Sequence, residues 1–214
     1  MDARVTQYGR SRRAPVTIGL AVLSCLLLVG VSYQFVDRPI ADWSHAVIRR
    51  PDWAWWLTKL ADIPDPLAIV SLICLGAFYL WRHRFNASGR IVLEAALATL
   101  AATILVIILK DVFGRTWPET WVHNNPSWIS NHAYGFNWFK GGRGYESFPS
   151  GHTTRITAPF AVLWHRLPRW RPLWLVPVIA VVVGLVACNF HFLSDCIAGI
   201  YLGAASAALV LALV

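Results

Sequence analysis

Long apolar stretches without a charged residue dominate the pattern of this chain. Charges are absent from four ranges, residues 14–36, 95–109, 172–194 and 196–214. Stretches of about 20 apolar residues are the length that a helix needs to cross a hydrocarbon layer of about 30 Å. They also lack the regular polar positions that would let one face of a soluble helix meet water. The pattern therefore predicts membrane-spanning helices.

We predict an all-α fold, a bundle of six transmembrane helices that forms a single domain over residues 1–214. The predicted spans are 15–36, 66–81, 91–112, 152–167, 173–190 and 196–214. The second and fourth are short for a full crossing. Pro159 should in addition kink the fourth, because proline lacks the N–H that an interior helical position donates.

Residues 37–65 mix charged residues with tryptophans and are not predicted to cross the membrane. The tryptophans are Trp43, Trp53, Trp55 and Trp56. Amphipathic stretches rich in tryptophan lie at the membrane–water interface, where the indole ring is half hydrated. We therefore expect an interfacial amphipathic segment on the outer surface.

The positive charge of the chain lies next to the apolar stretches. The formal net charge is +8, and most arginines fall in three short clusters: Arg4, Arg10, Arg12 and Arg13; Arg82, Arg84 and Arg90; and Arg166, Arg169 and Arg171. Such clusters are typical of cytoplasmic loops and of contacts with lipid headgroups, so we do not expect nucleic-acid binding. This rule places the N-terminus inside and the loops 37–65, 113–151 and 191–195 outside.

Three polar motifs fall at this outer side. The first, at the end of the third span, contains Lys110, Arg115 and Pro118. A cationic side chain here could bind an anion. The alternative is that the lysine simply extends its ammonium group to the interface.

The second motif, Pro149-Ser150-Gly151-His152, opens the fourth span. Serine is a good N-cap, and the free N–H groups at a helix start form a site for an anion such as phosphate. His152 would then lie beside that anion. The alternative is a helix cap followed by an interfacial histidine.

The third motif is His191-Phe192-Leu193-Ser194-Asp195. Spacing of i,i+4 can place an imidazole and a carboxylate on one helical face. A carboxylate bonded to one ring nitrogen fixes the tautomer and leaves the other nitrogen as a base or nucleophile. The alternative is a buried polar pair that ties helix ends together.

Together the three motifs indicate phosphoryl transfer. Lysine, arginine and backbone N–H groups neutralise phosphate oxygens, while one histidine attacks phosphorus and another protonates the leaving oxygen. The sequence offers no carboxylate cluster for Mg²⁺ and too few ligands for zinc near these motifs, so we expect neither a metal nor another cofactor. The four cysteines form no CxxC pair and are expected to be small buried hydrophobes.

At this point the chain resembles the type 2 phosphatidic acid phosphatase (PAP2) superfamily, which includes membrane lipid phosphatases. The motifs of that family, K-x6-R-P, P-S-G-H and S-R-x5-H-x3-D, occur in order between residues 110 and 195, with P-S-G-H and H-x3-D intact. The resemblance implies that His191 is the nucleophile, Asp195 its orienting partner and His152 the acid for the leaving group. It also implies that Lys110, Ser150 and Gly151 bind phosphate.

The chain departs from the family motifs at both arginines. Trp117 stands at the arginine position of the first motif, and Leu185 at that of the third. We therefore expect other cations to replace them, first Arg115, then Arg155, which is three residues from His152. Arg143 is a third candidate, although a solvated loop charge explains it better.

The resemblance implies a bacterial inner-membrane phosphatase that acts on a phosphorylated lipid through a phosphohistidine, with its site facing the periplasm. Two alternatives stay open. One is a phosphotransferase that passes the phosphoryl group to a second lipid, and the other is a non-catalytic membrane protein that has lost two arginines. The long outer loop 113–151 is rich in aromatic residues, so we expect it to form a lid or a wall of the lipid entry.

Overall fold

The structure is a computed structural model that describes the backbone of residues 3–121 and 124–214 and the side chains from Val16 onward, except Val122 and His123. The first arginine cluster (Arg4, Arg10, Arg12 and Arg13) therefore lies outside the described side chains. In the described part, nine α-helices follow one another: α1 (Ala3–Val31), α2 (Asp37–Trp43), α3 (Asp52–Lys59), α4 (Pro64–Arg82), α5 (Ala87–Phe113), α6 (Trp128–Asn131), α7 (Gly151–Arg166), α8 (Arg171–Ala187) and α9 (Leu193–Leu213).

These helices form the predicted six-helix bundle. Five segments of the described chain are long and apolar enough to cross a membrane: Val16–Ile48, Asp52–Arg82, Ala87–Phe113, Pro168–Ala187 and Leu193–Leu213. The sixth is α7, which has only 16 residues and continues through Pro159 without a break. This short helix packs against α5, α8 and α9 in the interior of the bundle.

The first two spans extend into the segment expected at the surface. Two π-helical turns, Ser32–Val36 and Ser44–Ile48, carry the first helix beyond its predicted end at residue 36. The sequence pattern suggested an end there because Asp37 is charged. In the fold, however, the Asp37 carboxylate is buried and paired with Arg115 through a 2.7 Å contact, so the charge does not need water. Helix α3 likewise continues through a 3-10 turn towards α4.

Helix α9 crosses α7 at very short range. A Cβ atom on Gly199 would lie 2.8 Å from the carbonyl oxygen of Ser150, and one on Gly203 would lie 2.6 Å from that of Thr154. Small residues four apart allow such close packing of membrane helices. The Ser150 N–H also donates to the Asp195 carbonyl at 3.0 Å, so this contact fixes the start of α7 against the start of α9.

The two arginine clusters with described side chains share one end of the bundle. Glu94 of α5 is buried and accepts from Arg166 Nε at 2.7 Å and from Arg90 Nε at 3.1 Å. This ion-pair group joins the loop between α4 and α5 to the loop between α7 and α8. The three polar motifs meet at the opposite end.

The loop between α5 and α7 covers that opposite end. Helix α5 stops at Gly114, whose φ of +55° is left-handed, and a Cβ there would lie 1.9 Å from the Asn137 carbonyl oxygen. Only glycine fits such a close approach of two backbones. Farther along, Trp138 and Phe139 are strongly exposed. Their role as a lid or lipid-entry wall stays a prediction.

Candidate active site

The start of α7 brings two cations next to one glycine. A Cβ atom on Gly151 would lie 3.0 Å from Arg155 Nη2 and 3.6 Å from Lys110 Cε. The missing side chain therefore leaves space for the two cations to lie close to the helix start. The first N–H groups of a helix have no intrahelical acceptor, and at α7 these are the groups of Gly151 and His152.

The two histidines face each other beside this space. Their ring centroids are 6.2 Å apart, with an interplanar angle of 63°. The His152 side chain keeps 35% of its surface exposed, whereas His191 is almost fully buried. One imidazole is thus fixed in the protein, and the other borders the open side of the site.

A set of hydrogen bonds holds the Asp195 carboxylate behind His191. Asp195 Oδ2 lies 3.4 Å from His191 Nδ1, and it accepts from Ser147 Oγ at 2.6 Å and from the Phe192 N–H at 3.0 Å. Burial lowers the pKa of the His191 imidazole, and the neighbouring Asp195 carboxylate only partly offsets this effect. The ring is therefore neutral near pH 7, as its predicted role of nucleophile requires.

The structure places Arg115 behind this pair, away from the space at Gly151. Its guanidinium is fully buried, donates through Nη1 to Asp195 Oδ1, and donates through Nη2 to Asp37 Oδ2 at 2.7 Å. Ser194 Oγ accepts a further bond from Nη1 at 2.6 Å. Two carboxylates occupy the groups that were expected to bind phosphate, so this geometry does not agree with the predicted role of Arg115.

Aromatic rings enclose the buried guanidinium of Arg115. Its Cζ atom lies 4.6 to 5.8 Å from five ring centroids, those of Phe192, Tyr33, Phe136, Tyr134 and Phe148. Arginine stacks on such rings and loses little hydration when buried. The two carboxylates together also raise the Arg115 pKa against the opposing effect of burial. The cation is therefore permanent.

Arg155 is the arginine that the structure brings to the open side. Its Nη1 lies 3.4 Å from Asp65 Oδ2, and its side chain keeps 30% of its surface exposed. The Nε atom is buried and has no hydrogen-bond partner among the described residues. With Lys110, whose Nζ donates to the Glu146 carbonyl at 2.6 Å, Arg155 supplies the positive charge beside Gly151.

Ser150 lies at the predicted place, but its hydroxyl is engaged. It is fully buried and caps α7, because its Oγ accepts from the Thr153 N–H at 3.3 Å and from Thr153 Oγ1 at 3.1 Å. The side chain therefore positions the helix start.

The two departures from the family motifs have different structural contexts. Trp117 belongs to the site: its ring lies 5.6 Å from Lys110 Nζ and 5.2 Å from the His191 ring. Leu185 is a core residue that packs with Ala61 and Ile156. Arg143 has an exposed side chain, and its carbonyl oxygen accepts from Trp117 Nε1 at 2.8 Å.

Three aspartates of the site were not predicted. Asp62 Oδ1 lies 3.8 Å from His152 Nε2, Asp65 pairs with Arg155, and Asp37 pairs with Arg115. All three belong to the segment that the sequence placed on the membrane surface. No motif marks them, because each acts through a partner that is distant in the sequence.

No group of three or more His, Cys, Asp or Glu side chains suited to a metal ion occurs in the described part of the chain. The carboxylates around the site are instead paired with arginines or with histidine. The expectation of a metal-independent reaction stays a prediction.

Comparison with known proteins identifies relatives of this chain. A profile of the PAP2 superfamily matches residues 91–214. Lipid A 1-phosphatase of Rhizobium johnstonii is 35% identical over 104 residues, which are 47% of this chain and 38% of that protein. The enzyme of the same name from Rhizobium etli is 34% identical over 103 residues, 47% of this chain and 40% of that protein. The matched part is thus less than half of either relative's length.

A solved structure supports the fold over a longer range. The crystal structure of a PAP2-type phosphatidylglycerolphosphate phosphatase from Bacillus subtilis superposes with a TM-score of 0.59. The superposition covers 90% of this chain and 93% of that protein, at 20% sequence identity. The similarity extends to helices outside the residues that the family profile matches.

Proposed function

The chain belongs to the PAP2 superfamily, and we propose that it is a membrane phosphatase that removes a phosphate group from a lipid. One observation carries this proposal. The His191 and His152 rings face each other at 6.2 Å, next to a helix start flanked by Lys110 and Arg155. A nucleophile, a proton donor and a set of phosphate-binding groups are therefore together at one site.

In the first step, His191 attacks phosphorus while the bond from phosphorus to the lipid oxygen breaks. His152 gives its proton to that oxygen, and a phosphohistidine remains. In the second step, water attacks phosphorus, the bond to nitrogen breaks and His152 accepts the proton from water. Asp195 keeps the His191 ring in one orientation through both steps and stabilises the positive charge on it.

Lys110, Arg155 and the backbone N–H groups of Gly151 and His152 would bind the phosphate oxygens. Charge develops on these oxygens in the transition state, and donors that are already in place stabilise it. Arg115 takes a different role, that of a positioning residue which holds Asp195 from behind. Ser150 contributes through the cap that it makes on α7.

The site lies at the end of a membrane bundle, so the substrate class that fits is a phosphorylated lipid from the surrounding membrane. The named substrates of the relatives, lipid A and phosphatidylglycerol phosphate, are both lipids of this class. Transfer to a second lipid would use the same first step and differ only in the acceptor. Inorganic phosphate as the product separates hydrolysis from transfer.

For the location we propose the inner membrane of a bacterium, with the site on the periplasmic side. The arginine clusters at 82–90 and 166–171 lie at the opposite end of the bundle, as the rule for cytoplasmic loops requires. In a variant whose four native cysteines are replaced, a cysteine at the exposed Ser130 should react with an impermeant thiol reagent from outside. Reaction only after lysis would reverse the orientation. Asn125 is less suitable because it is buried.

The site uses cationic side chains where other phosphatases use metal ions, so we expect turnover to survive EDTA. Activity should stay within about twofold of the untreated enzyme, since no metal stabilises the transition state. A larger loss of activity, followed by recovery when Mg²⁺ or Zn²⁺ is added, would contradict this mechanism. EGTA-treated and untreated samples in the same detergent serve as controls.

The decisive test is release of inorganic phosphate by the purified protein from a panel of lipids. The panel contains phosphatidate, phosphatidylglycerophosphate, an isoprenoid pyrophosphate and a phosphorylated glycolipid. We expect release from at least one lipid, and none from the His191→Ala variant. No release from any lipid, by a protein that is folded, would favour the non-catalytic alternative.

A further inference from the structure

A cavity with several charged lining residues lies at the same end of the bundle as the histidines. It has a volume of about 360 Å³ and is lined by Ser44, His45, Arg49, Arg50, Glu119 and Asn189. None of these residues belongs to the three family motifs or to the proposed reaction. Such a cavity can hold a phosphate-sized group together with part of a headgroup.

The cavity carries an excess of positive charge. Among the described lining residues, Glu119 is the only acidic one, and it is already paired with Arg50 at 2.8 Å and with His45 at 3.3 Å. The Arg49 side chain donates from Nε to the Ala46 carbonyl at 3.0 Å and has no carboxylate partner among the described residues. The planar guanidinium groups of arginine suit oxyanions such as phosphate and carboxylate.

A second observation also indicates a ligand. Ser44 is only 2% exposed, and its Oγ is buried without a hydrogen-bond partner in the described part of the chain. A buried hydroxyl without a partner is uncommon in a folded protein, and here it belongs to a residue that lines the cavity. The Ser44 hydroxyl is thus an unused donor next to the cavity.

The backbone around these residues is also irregular. Ser44 and His45 begin a π-helical turn, and Arg49 and Arg50 both have left-handed backbones, with φ of 55° and 52°. Residues other than glycine seldom adopt this conformation, and it concentrates at functional sites. The turn brings two arginines to one cavity at a cost in local strain.

The cavity is a close neighbour of the catalytic histidine. Asn189 lines it and precedes His191 by two residues, while Glu119 lines it and follows Trp117 by two residues. Two residues of chain span at most about 7 Å. Trp117 and His191 contact each other at 5.2 Å between ring centroids, so one lipid headgroup could reach both sites.

We propose that this cavity is a second anion subsite, which holds an additional anionic group of the lipid headgroup while His191 attacks the scissile phosphate. The assignment rests on the proposed function for the identity of the ligand as a lipid. Arg49, Arg50 and Ser44 donate to the second group, and Glu119 holds Arg50 and His45 in place. The substrate class is therefore a lipid with two anionic groups in its headgroup.

Kinetics with two lipids of equal chain length test the proposal. Dioctanoyl phosphatidate has one phosphate group, and dioctanoyl phosphatidylglycerophosphate has two. We expect Arg49→Gln to raise KM for the second lipid about tenfold, the effect of one charge-assisted hydrogen bond, with kcat and the KM for phosphatidate within twofold of wild type. Arg84→Gln, at an exposed position at the other end, is the control. Equal effects of Arg49→Gln on both lipids, or none on either, would overturn the subsite.

Binding to the inactive His191→Ala protein gives a readout that does not depend on catalysis. The doubly anionic lipid should bind about tenfold more weakly to His191→Ala/Arg49→Gln and to His191→Ala/Ser44→Ala than to His191→Ala. This result would support the subsite even if the wild-type protein hydrolysed no lipid. Absence of hydrolysis by itself would contradict the proposed phosphatase activity but not the anion subsite. Inorganic phosphate should also be tested as a ligand. If it binds as tightly as the lipid, and if Arg49→Gln weakens its binding to the same extent, the cavity is a free-anion site and the headgroup assignment is overturned.

Discussion

Two arginines on opposite sides of His191 differ in almost every physical respect. Arg115, behind the ring, is fully buried between two carboxylates and five aromatic rings. Arg155, on the open side, keeps 30% of its side-chain surface and has one acidic neighbour at 3.4 Å. In the proposed mechanism, neutralisation at the rear fixes the His191 ring, whereas incomplete neutralisation in front leaves positive charge for the substrate phosphate. We therefore assign the positioning role to the arginine that is fully paired with carboxylates, and phosphate binding to the arginine that is only partly paired.

The largest expected effect comes from substitution of His191, whose ring lies between the two arginines. His191→Ala should lower kcat by at least about 10⁴-fold on every substrate, because no nucleophile remains. His152→Ala should lose most activity on a lipid ester but less on p-nitrophenyl phosphate, if the site admits it, since that leaving group does not need a proton. Steady-state phosphate release measures both variants.

A trapping experiment checks the assignment of the two rings. Rapid quench with labelled substrate, followed by denaturation in alkali, preserves a phosphohistidine. We expect label in wild type and in His152→Ala, and none in His191→Ala. If the label persists in His191→Ala but is absent from His152→Ala, His152 is the nucleophile and His191 the proton donor.

A variant on the open side should affect substrate binding and catalysis without loss of stability. Arg155→Ala should lower kcat/KM by about 10² to 10³-fold, the scale of one lost contact to transition-state charge. Arg155→Lys should recover part of this loss, because the charge remains but the planar pair of donors does not. Arg143→Ala, which removes an exposed loop arginine, is the matched control. Equal kinetics of Arg155→Ala and this control would exclude Arg155 from phosphate binding.

Substitution of Arg115, behind the His191 ring, should instead lower stability and affect kcat more than KM. Arg115→Ala leaves Asp37 and Asp195 buried without a cation, so we expect a loss of about 3 to 5 kcal/mol in stability. The orientation of His191 also suffers, so kcat should fall while KM changes little. Thermal unfolding in detergent and steady-state kinetics measure the two effects.

Two outcomes would contradict the positioning role of Arg115. An unchanged melting temperature would mean that the buried ion pairs do not form. A raised KM with normal kcat would mean that Arg115 contacts the substrate, as the sequence suggested. Asp37→Asn provides a further comparison, since it removes one partner of Arg115 and leaves Asp195 in place.

Much of the fold could be predicted because lipid imposes simple rules. Apolar stretches of adequate length gave the six spans, and the arginine clusters placed the three motifs at one end of the bundle. The first span was drawn too short because its end was set at Asp37. Local sequence cannot reveal that this carboxylate is paired with Arg115, which is 78 positions away.

The site could be predicted as far as its motifs are contiguous. The pairing of His191 with Asp195 follows from a short spacing, and the location of both histidines at one end of the bundle follows from the predicted topology. The different surroundings of Arg115 and Arg155 do not, because each arginine pairs with an aspartate from the first two spans. Arg115 stands only two residues before Trp117, the motif position of the arginine, yet the turn after Gly114 directs the Arg115 side chain into the core.

The smallest expected effect is a shift in the pH profile. His191 must be neutral to attack phosphorus, and burial lowers its pKa below the ordinary value of about 6.5. A lowered pKa keeps the ring neutral further into acid, so the acid limb of kcat/KM should lie below about pH 6.5. Asp195 partly offsets the effect of burial. Asp195→Asn should therefore move the limb to still lower pH, while kcat itself falls. Profiles from roughly pH 4 to 8, with circular dichroism at each point to exclude unfolding, measure this shift. A limb above pH 6.5 in wild type, or one that moves upward in Asp195→Asn, would mean that a group other than His191 controls the acid side.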